Sequence, residues 1–349
     1  MHSLSAESVL RLAETREPLP EHLPRNTSLL CRAARSVDLL DLDNARLALD
    51  SLSSDIDPAL AALRPLLEAQ YCLRRGNAVA TGPIETHIQE ALQLCADQDH
   101  AVRARALLVR ASAALRRDDF LLAETTLPEV VQAARPDDPV RIHAANAWAS
   151  VMQGLGAWHE AEYTLRRLIE LRRDDPVGSA ITAGAYARQC LDFGKYSEAL
   201  SIAEDVLTRH ELRLERLSTI RLHTLALEAA IEGNNETKRT HYAQSLCLDL
   251  AQSSSGHYLE GFGYRVLALD ASKTGDTTKA RRYLNLASGL MNTLDAQLLL
   301  EATEAILFGS DHDYETTLAK LRVQSNSLGL TQAELTLIAH GVRRAGEAG

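Results

Sequence analysis

The chain has 349 residues, of which 46% are hydrophobic and only 4% aromatic, and its formal net charge is −10. Abundant alanine and leucine with few aromatic residues favour helices that pack through small side chains, and they argue against a β-rich fold. The acidic balance, with short basic clusters flanked by acids, argues against direct binding to nucleic acid.

The first 25 residues predict a separate N-terminal element. A helix is expected over roughly residues 5–16, and the sequence "EPLPEHLPR" that follows predicts a proline-rich connector. The segment lacks the basic region and apolar core of a signal peptide, and no stretch of the chain reaches the roughly 18 apolar residues of a membrane span. Five widely spaced cysteines without a C-x-x-C pair indicate a reducing compartment. We therefore expect a cytoplasmic protein.

Two weakly patterned helical hairpins are predicted next. Residues 28–52 form the first, with Ala45 as the small residue of its second helix. The sequences "PALAALRPLLEAQYCLRRG" and "PIETHIQEALQLC" form the second, and the Gly82–Pro83 break is expected to be its turn.

A clearer internal repeat extends over residues 98–290. The second helix of each unit carries a phase marker, and the markers lie 38, 38, 39 and 42 residues apart: Ala123, Ala161, Ala199, Lys238 and Ala280. Five residues before each marker stands an expected turn residue: Asp118, Gly156, Gly194, Gly233 or Gly275. Seven residues before each turn stands a small residue of the first helix: Ala111, Ala149, Ala187, Ala226 or Ala268. In the first three units an aromatic residue precedes the marker by three positions: Phe120, Trp158 and Tyr196.

This pattern predicts two antiparallel helices per unit, joined by a turn in which the glycine adopts a positive φ. One hairpin cannot bury both of its faces, so the hairpins must stack. Residues 296–323 continue the array, with Ala305, Tyr314 and Thr317 in phase. Residues 329–349 predict a terminal helix that covers the last hairpin, with Gly329 as the preceding stop and Thr331 as its N-cap.

These motifs resemble the tetratricopeptide repeat, which has a small residue, a turn, an aromatic residue and a second small residue at fixed spacing. Ala149, Gly156, Trp158 and Ala161 match that pattern, and the next unit repeats it. The units here span 37 to 42 residues, longer than the usual repeat, as in bacterial regulatory sensor domains and kinesin light chains. The resemblance implies an all-α, right-handed superhelical solenoid of about eight hairpins over residues 26–328, with a C-terminal capping helix.

The sequence carries no pattern typical of a catalytic or metal site. It has no H-E-x-x-H, no clustered Cys/His ligands, no nucleophile elbow and no P-loop. Gly261-x-Gly263 lies inside a helical pattern, where it favours close helix packing. We therefore expect neither enzymatic activity nor a cofactor.

The predicted inner wall of the solenoid is more polar than a buried helix face should be. Phasing on the small residues places the following candidate binding residues on it: Arg105, Ser112, Arg116, His143, Asn146, Ser150, Gln153, Arg188, Asp192, His223, Arg265 and Lys273. By analogy with peptide-binding members of the family, Asn146 is expected to bond a peptide backbone, and Arg105, Arg188 and Arg265 to meet carboxylates. Tyr258 and Phe262 supply either an apolar pocket or helix-packing core. A solvated wall without a ligand explains the same residues.

Three functions remain open from the sequence. The first is a non-catalytic module that grips a protein or peptide segment in its concave groove. The second is a bacterial regulatory or sensor protein that acts on a partner through ligand-dependent curvature. The third is a scaffold that forms a homodimer through its terminal helices.

Overall fold

Helices form the fold in every described segment of the chain. The computed structural model describes residues 4–15, 18–38, 41–75, 81–95, 99–117, 119–211, 213–253, 256–291, 294–309 and 311–324. These ranges contain seventeen α-helices, a single 3-10 turn at Pro58–Leu60 and no β-strand. The helices are α1 Ala6–Thr15, α2 Arg25–Asp38, α3 Leu42–Asp50, α4 Leu63–Arg75, α5 Thr81–Leu94, α6 His100–Leu115, α7 Phe120–Ala133, α8 Val140–Gly154, α9 Trp158–Leu171, α10 Pro176–Asp192, α11 Tyr196–His210, α12 Arg216–Glu232, α13 Glu236–Gln252, α14 Tyr258–Lys273, α15 Thr277–Ser288, α16 Leu294–Phe308 and α17 Asp311–Gln324.

The predicted all-α helical-repeat fold is confirmed. Within each unit, an even-numbered first helix packs against the odd-numbered second helix that follows it. The described residues contain three such hairpins in unit 1 (α2–α3, α4–α5 and α6–α7) and four in unit 2 (α10–α11, α12–α13, α14–α15 and α16–α17). The chain divides into two units, Met1–Val151 and Met152–Gly349, and the division falls within α8. Each unit is described here by itself.

The turns after α10, α12 and α14 share one geometry, which ends the first helix sharply. In the turn after α10, the N–H of Lys195 donates to the carbonyl of Cys190 (2.8 Å), and the N–H of Gly194 donates to Leu191 (3.0 Å). Gly194 has a φ of 70°, in the left-handed region where a side chain would be strained. Such a paired bond with a left-handed residue satisfies the last carbonyls of the helix. The residue after it immediately precedes the next helix, so the two helices must turn back on each other.

The fourth repeat turn departs from the prediction by one residue. Gly233 was expected to be left-handed, but its φ is −82° and Asn234 has the positive φ of 52°. Asparagine tolerates the left-handed conformation better than any other residue type except glycine. Helix α13 therefore begins at Glu236, and the residue equivalent to the marker alanines is Arg239, not Lys238.

Small residues allow the close approach of helices that the repeat predicts. Ala187 and Ala268 of the first helices and Ala199 of the second helices are fully buried. The two glycines of α14 also lie at crossings: a Cβ on Gly261 would stand 2.6 Å from Met291 Cγ, and one on Gly263 would stand 3.3 Å from Leu246 Cδ1. The predicted role of these glycines in helix packing is confirmed.

In unit 1, the N-terminal helix α1 packs against α2 and α6. Its apolar face is buried in the unit 1 core through Ala6, Val9, Leu10 and Ala13. The helix predicted at residues 5–16 is therefore observed, and it docks on its own chain. The Gly82–Pro83 break is not the hairpin turn that we expected, because both residues lie in the first turn of α5, where proline is tolerated.

Some predictions fall on residues outside the described ranges. These include the turn residue Asp118 and the terminal helix of residues 329–349, with Gly329 and Thr331. The domain boundaries at residues 25 and 328 stay a prediction. Across the described residues, no helix is both long and apolar enough to cross a bilayer.

Candidate functional site

The first helices of unit 2 form a layer that carries a line of charged side chains. Helices α10, α12, α14 and α16 pack against one another in that order, and we call them the first-helix layer. Glu228 on α12 lies between two arginines: Arg188 of α10 bonds one carboxylate oxygen, and Arg265 of α14 bonds the other at 2.5 Å. Arg265 also donates to the hydroxyl of Thr303 on α16 at 3.3 Å. This charged ladder therefore joins four consecutive first helices.

Burial and charge perturb both carboxyl groups at the α10 end of the ladder. Burial acts to raise the pKa of Glu228, but the guanidinium groups of Arg188 and Arg265 outweigh it and lower the pKa to about 2. Asp192 lies 3.7 Å from Arg188, and burial raises its pKa to about 7 even though Arg188 acts in the opposite direction. Glu228 is thus a fixed anion, whereas Asp192 changes its charge near neutral pH.

Arg221 of α12 lies beside the ladder without joining it. Its side chain is partly exposed and makes no hydrogen bond or ion pair within the described residues. The guanidinium lies across α10 at Gly184, where a Cβ would stand 2.5 Å from Arg221 Nε and 2.9 Å from Cζ. Burial lowers the pKa of Arg221, Tyr258 acts to raise it, and Arg188 lowers it further. The layer therefore holds a guanidinium that no carboxylate of the described residues pairs with.

The sequence analysis missed Arg221 and Glu228 because of the turn at Asn234. Counted from the left-handed turn residues, Ile181, Arg221 and Phe262 occupy one equivalent position on α10, α12 and α14. Arg188 and Glu228 likewise share an equivalent position on neighbouring helices. Placing the turn at Gly233 moved every assignment on α12 back by one residue. The signal that could have corrected it is the Asn234–Asn235 pair, in which Asn235 caps α13.

The ladder changes our interpretation of two predicted binding arginines. Arg265 is 0% exposed, so it does not face an open wall as predicted. Arg188 and Asp192 are partly exposed, but Arg188 is already bound to Glu228. The reason is that both arginines were assigned from their own helices, without the carboxylate that α12 places between them.

The other predicted residues of unit 2 lie apart from the ladder. Gln153 donates to the side-chain oxygen of Gln189 at 3.2 Å. His223 pairs with Asp249 of α13, the second helix of its own hairpin, at 2.6 Å. Lys273 is exposed at the end of α14.

In unit 1, the predicted binding arginine is occupied by the N-terminal helix. Arg105 of α6 is buried and pairs with Glu14 of α1 and with Asp138, the latter at 3.3 Å. Asn146 of α8 has a buried side-chain oxygen, Oδ1, without a hydrogen-bond partner. The remaining predicted residues of this unit are partly exposed: Ser112, Arg116, His143 and Ser150.

The chemistry of these residues suits binding more than catalysis. The described residues contain no group of histidine, cysteine or carboxylate side chains arranged to hold a metal ion. The first-helix layer combines a paired, buried ladder with a partly exposed cation. Such an arrangement can orient and neutralise an anionic group, and it presents no activated nucleophile.

Known structures share this fold. No protein-family model and no curated protein matches the chain. Among solved structures, one that it resembles is the crystal structure of a Rap protein complexed with competence and sporulation factor, at a TM-score of 0.65 and 11% sequence identity over 93% of both chains. Another is the apo form of RapI, at a TM-score of 0.49 and 12% identity over 93% of this chain and 99% of that one. At these identities the likeness concerns the fold alone.

Proposed function

We propose that the chain is a non-catalytic binding protein whose first-helix layer in unit 2 holds an extended peptide or a segment of a partner protein. The observation that carries this proposal is a row of three partly exposed side chains at equivalent positions: Ile181, Arg221 and Phe262. We call it the 181–221–262 row. It offers an apolar contact on either side of a cation across three neighbouring helices. This alternation suits a chain that crosses the helices.

The shared fold supports the same proposal. The Rap protein that this chain resembles was crystallised with competence and sporulation factor. A stack of helical hairpins presents a long surface built from corresponding positions of successive repeats, which is the usual binding surface of such proteins. Binding without chemistry is therefore the role we assign to this layer, and the finer prediction of ligand-dependent regulation rests on it.

Asn146 in unit 1 supports a second contact. Its buried Oδ1 atom lacks a donor in the described residues. A buried polar atom without a partner costs free energy, so rotation of the partly exposed Asn146 side chain toward a ligand N–H would be favourable. This agrees with the predicted role of Asn146 in bonding a peptide backbone. The predicted homodimer stays a prediction, because α1 packs within its own chain and residues 329–349 lie outside the described ranges.

A selection from random peptides tests the proposal. Peptides selected against the immobilised full chain would be labelled and measured by fluorescence polarisation against the wild type and an Ile181→Ser/Phe262→Ser variant. We expect the variant to bind at least about tenfold more weakly, because it loses apolar contact area. Leu248→Ser, an exposed leucine on α13, is the matched control and should bind as the wild type does.

Two results would contradict the proposal. One is a selection that yields no peptide binding above scrambled sequences. The other is equal binding by the row variant and the wild type, with circular dichroism showing that both are folded.

A further inference from the structure

Arg221 and the four charged residues of the ladder together carry more positive than negative charge. Arg188 and Arg265 are the cations of the ladder, and Glu228 and Asp192 are its carboxyl groups. With both carboxyl groups ionised, these charges balance and Arg221 remains as a net positive charge. Protonation of Asp192, whose pKa is about 7, removes one negative charge and so increases this net positive charge. The guanidinium of Arg221 can therefore bind an anion, although the chain as a whole is acidic.

The position of Arg221 is held by its neighbours, not by a counter-ion. Gly184 leaves the space that the guanidinium fills on α10. Tyr258 of α14 is near enough to act on the pKa of Arg221, and its ring meets the ring of Phe262 edge-on at 6.2 Å between centroids. Arg221 is thus positioned against the glycine of a neighbouring helix. It keeps its hydrogen-bond donors available, because no described residue accepts from them.

We propose that Arg221 is the anchor for a carboxylate of the bound peptide. This inference rests on the proposed function and names the chemistry of its ligand. The carboxylate comes either from the C-terminus of the peptide or from an aspartate or glutamate side chain. A planar guanidinium can donate two parallel hydrogen bonds to a carboxylate in either case.

The charge balance favours a carboxylate over a phosphate group. A phosphate carries close to two negative charges at neutral pH, but both arginines of the ladder are already bound to Glu228. One unpaired guanidinium matches one carboxylate. The apolar members of the row, Ile181 and Phe262, then accommodate uncharged side chains on either side of it.

Matched peptide pairs provide the test. Octapeptides with a fluorescent label would be synthesised as C-terminal acids and as C-terminal amides, with and without aspartate or glutamate at each position. Each pair would be titrated with the wild type, Arg221→Gln, Gly184→Ala and Arg282→Gln. Arg282 is an exposed arginine on α15, so its variant controls for the loss of one positive charge.

The wild type should prefer one member of the pairs by about 10- to 100-fold, the range of a charge-assisted hydrogen bond. A preference for acids over amides identifies the C-terminus as the source, and a preference for aspartate or glutamate over their amides identifies a side chain. Arg221→Gln should remove this preference while leaving the affinity for uncharged peptides unchanged. Gly184→Ala should weaken it, because the added Cβ displaces the guanidinium without removing its charge. Arg282→Gln should keep it.

The inference fails alone if peptides bind the wild type but neither form is preferred, or if Arg221→Gln keeps the preference. The proposed function then still stands. If no peptide of any form binds the wild type, both fail. Circular dichroism checks the fold of each variant, and we expect no change for Arg221→Gln, since this side chain makes no hydrogen bond or ion pair in the described residues.

Discussion

Replacing Glu228 with glutamine should destabilise unit 2 strongly. The wild-type carboxylate bonds Arg188 and Arg265 with its two oxygens. In Glu228→Gln, the amide keeps one acceptor oxygen but turns an N–H₂ group toward the second guanidinium, which is itself a donor. Arg188 is partly exposed and has Asp192 at 3.7 Å as a second partner. Arg265 is fully buried, and among the described residues its only other partner besides Glu228 is the hydroxyl of Thr303, so it bears most of the cost.

The expected loss is about 3–5 kcal/mol in the free energy of unfolding, the range for removing one partner of a buried ion pair. Urea denaturation followed by far-ultraviolet circular dichroism measures it. Glu170→Gln, at an exposed position on α9, is the control and should change the free energy of unfolding by less than about 0.5 kcal/mol. The double variant Glu228→Gln/Arg265→Met should recover most of the loss, since it also removes the uncompensated buried charge.

Two outcomes would refute this reasoning. If Glu228→Gln unfolds within about 0.5 kcal/mol of the wild type, the ladder does not hold the helices together as described. If the double variant is no more stable than the single variant, the cost does not arise from the unpaired charge of Arg265.

Three further predictions concern other parts of the fold. The pKa of Asp192 is raised from 3.8 to about 7 in the folded chain, so the folded state binds more protons than the unfolded state over that range, and Asp192 makes stability fall as the pH rises. The stability of Asp192→Asn relative to the wild type, measured by urea denaturation at each pH, should therefore increase from about pH 5 to about pH 8. The same stability difference at both pH values would contradict this, and so would the same pH trend in the exposed Asp174→Asn control. Ala187→Leu should lower the free energy of unfolding by about 1–3 kcal/mol through overpacking, because Ala187 is fully buried. Ala185→Leu, at a partly exposed site, is its control. Equal free energies of unfolding for the two variants would show the repeat phase of α10 to be wrong. Glu14→Gln should weaken the docking of α1 by no more than about 1 kcal/mol, since the Glu14 side chain is 32% exposed. Amide hydrogen exchange at Val9 and Leu10 should become faster in this variant but not in the control Glu21→Gln, at an exposed position.

The fold class could be predicted from the sequence because each repeat unit places the same residue types at the same structural positions. Gly156, Gly194 and Gly275 occur where a first helix must stop, and all three have a positive φ. Phe120, Trp158 and Tyr196 open the second helices as expected. These features depend on local backbone conformation and on helical periodicity, which neighbouring residues largely determine.

The candidate site was less predictable, because it depends on pairs of residues from different helices. The sequence placed Arg188 and Arg265 on the inner wall, but it could not show that a single carboxylate on α12 would bind both. It also gave no indication that the side chain of Arg221 would occupy the space beside Gly184. A one-residue shift at Asn234 was enough to hide both residues of α12. Phase errors of this size leave the fold unchanged but alter which side chains meet.

The ladder and Arg221 are coupled through the positions of α10 and α12. The bond from Arg188 to Glu228 ties these helices together, and Arg221 depends on the same contact because its guanidinium lies on Gly184 of α10. A buried, paired ladder adds little to stability over an apolar core, but it can fix the register of the helices that it joins. That register determines whether Arg221 lies between Ile181 and Phe262 in the row. We therefore expect a variant in which apolar residues replace the whole ladder to fold stably and yet to lose the carboxylate preference, because Arg221 would no longer be held in one position.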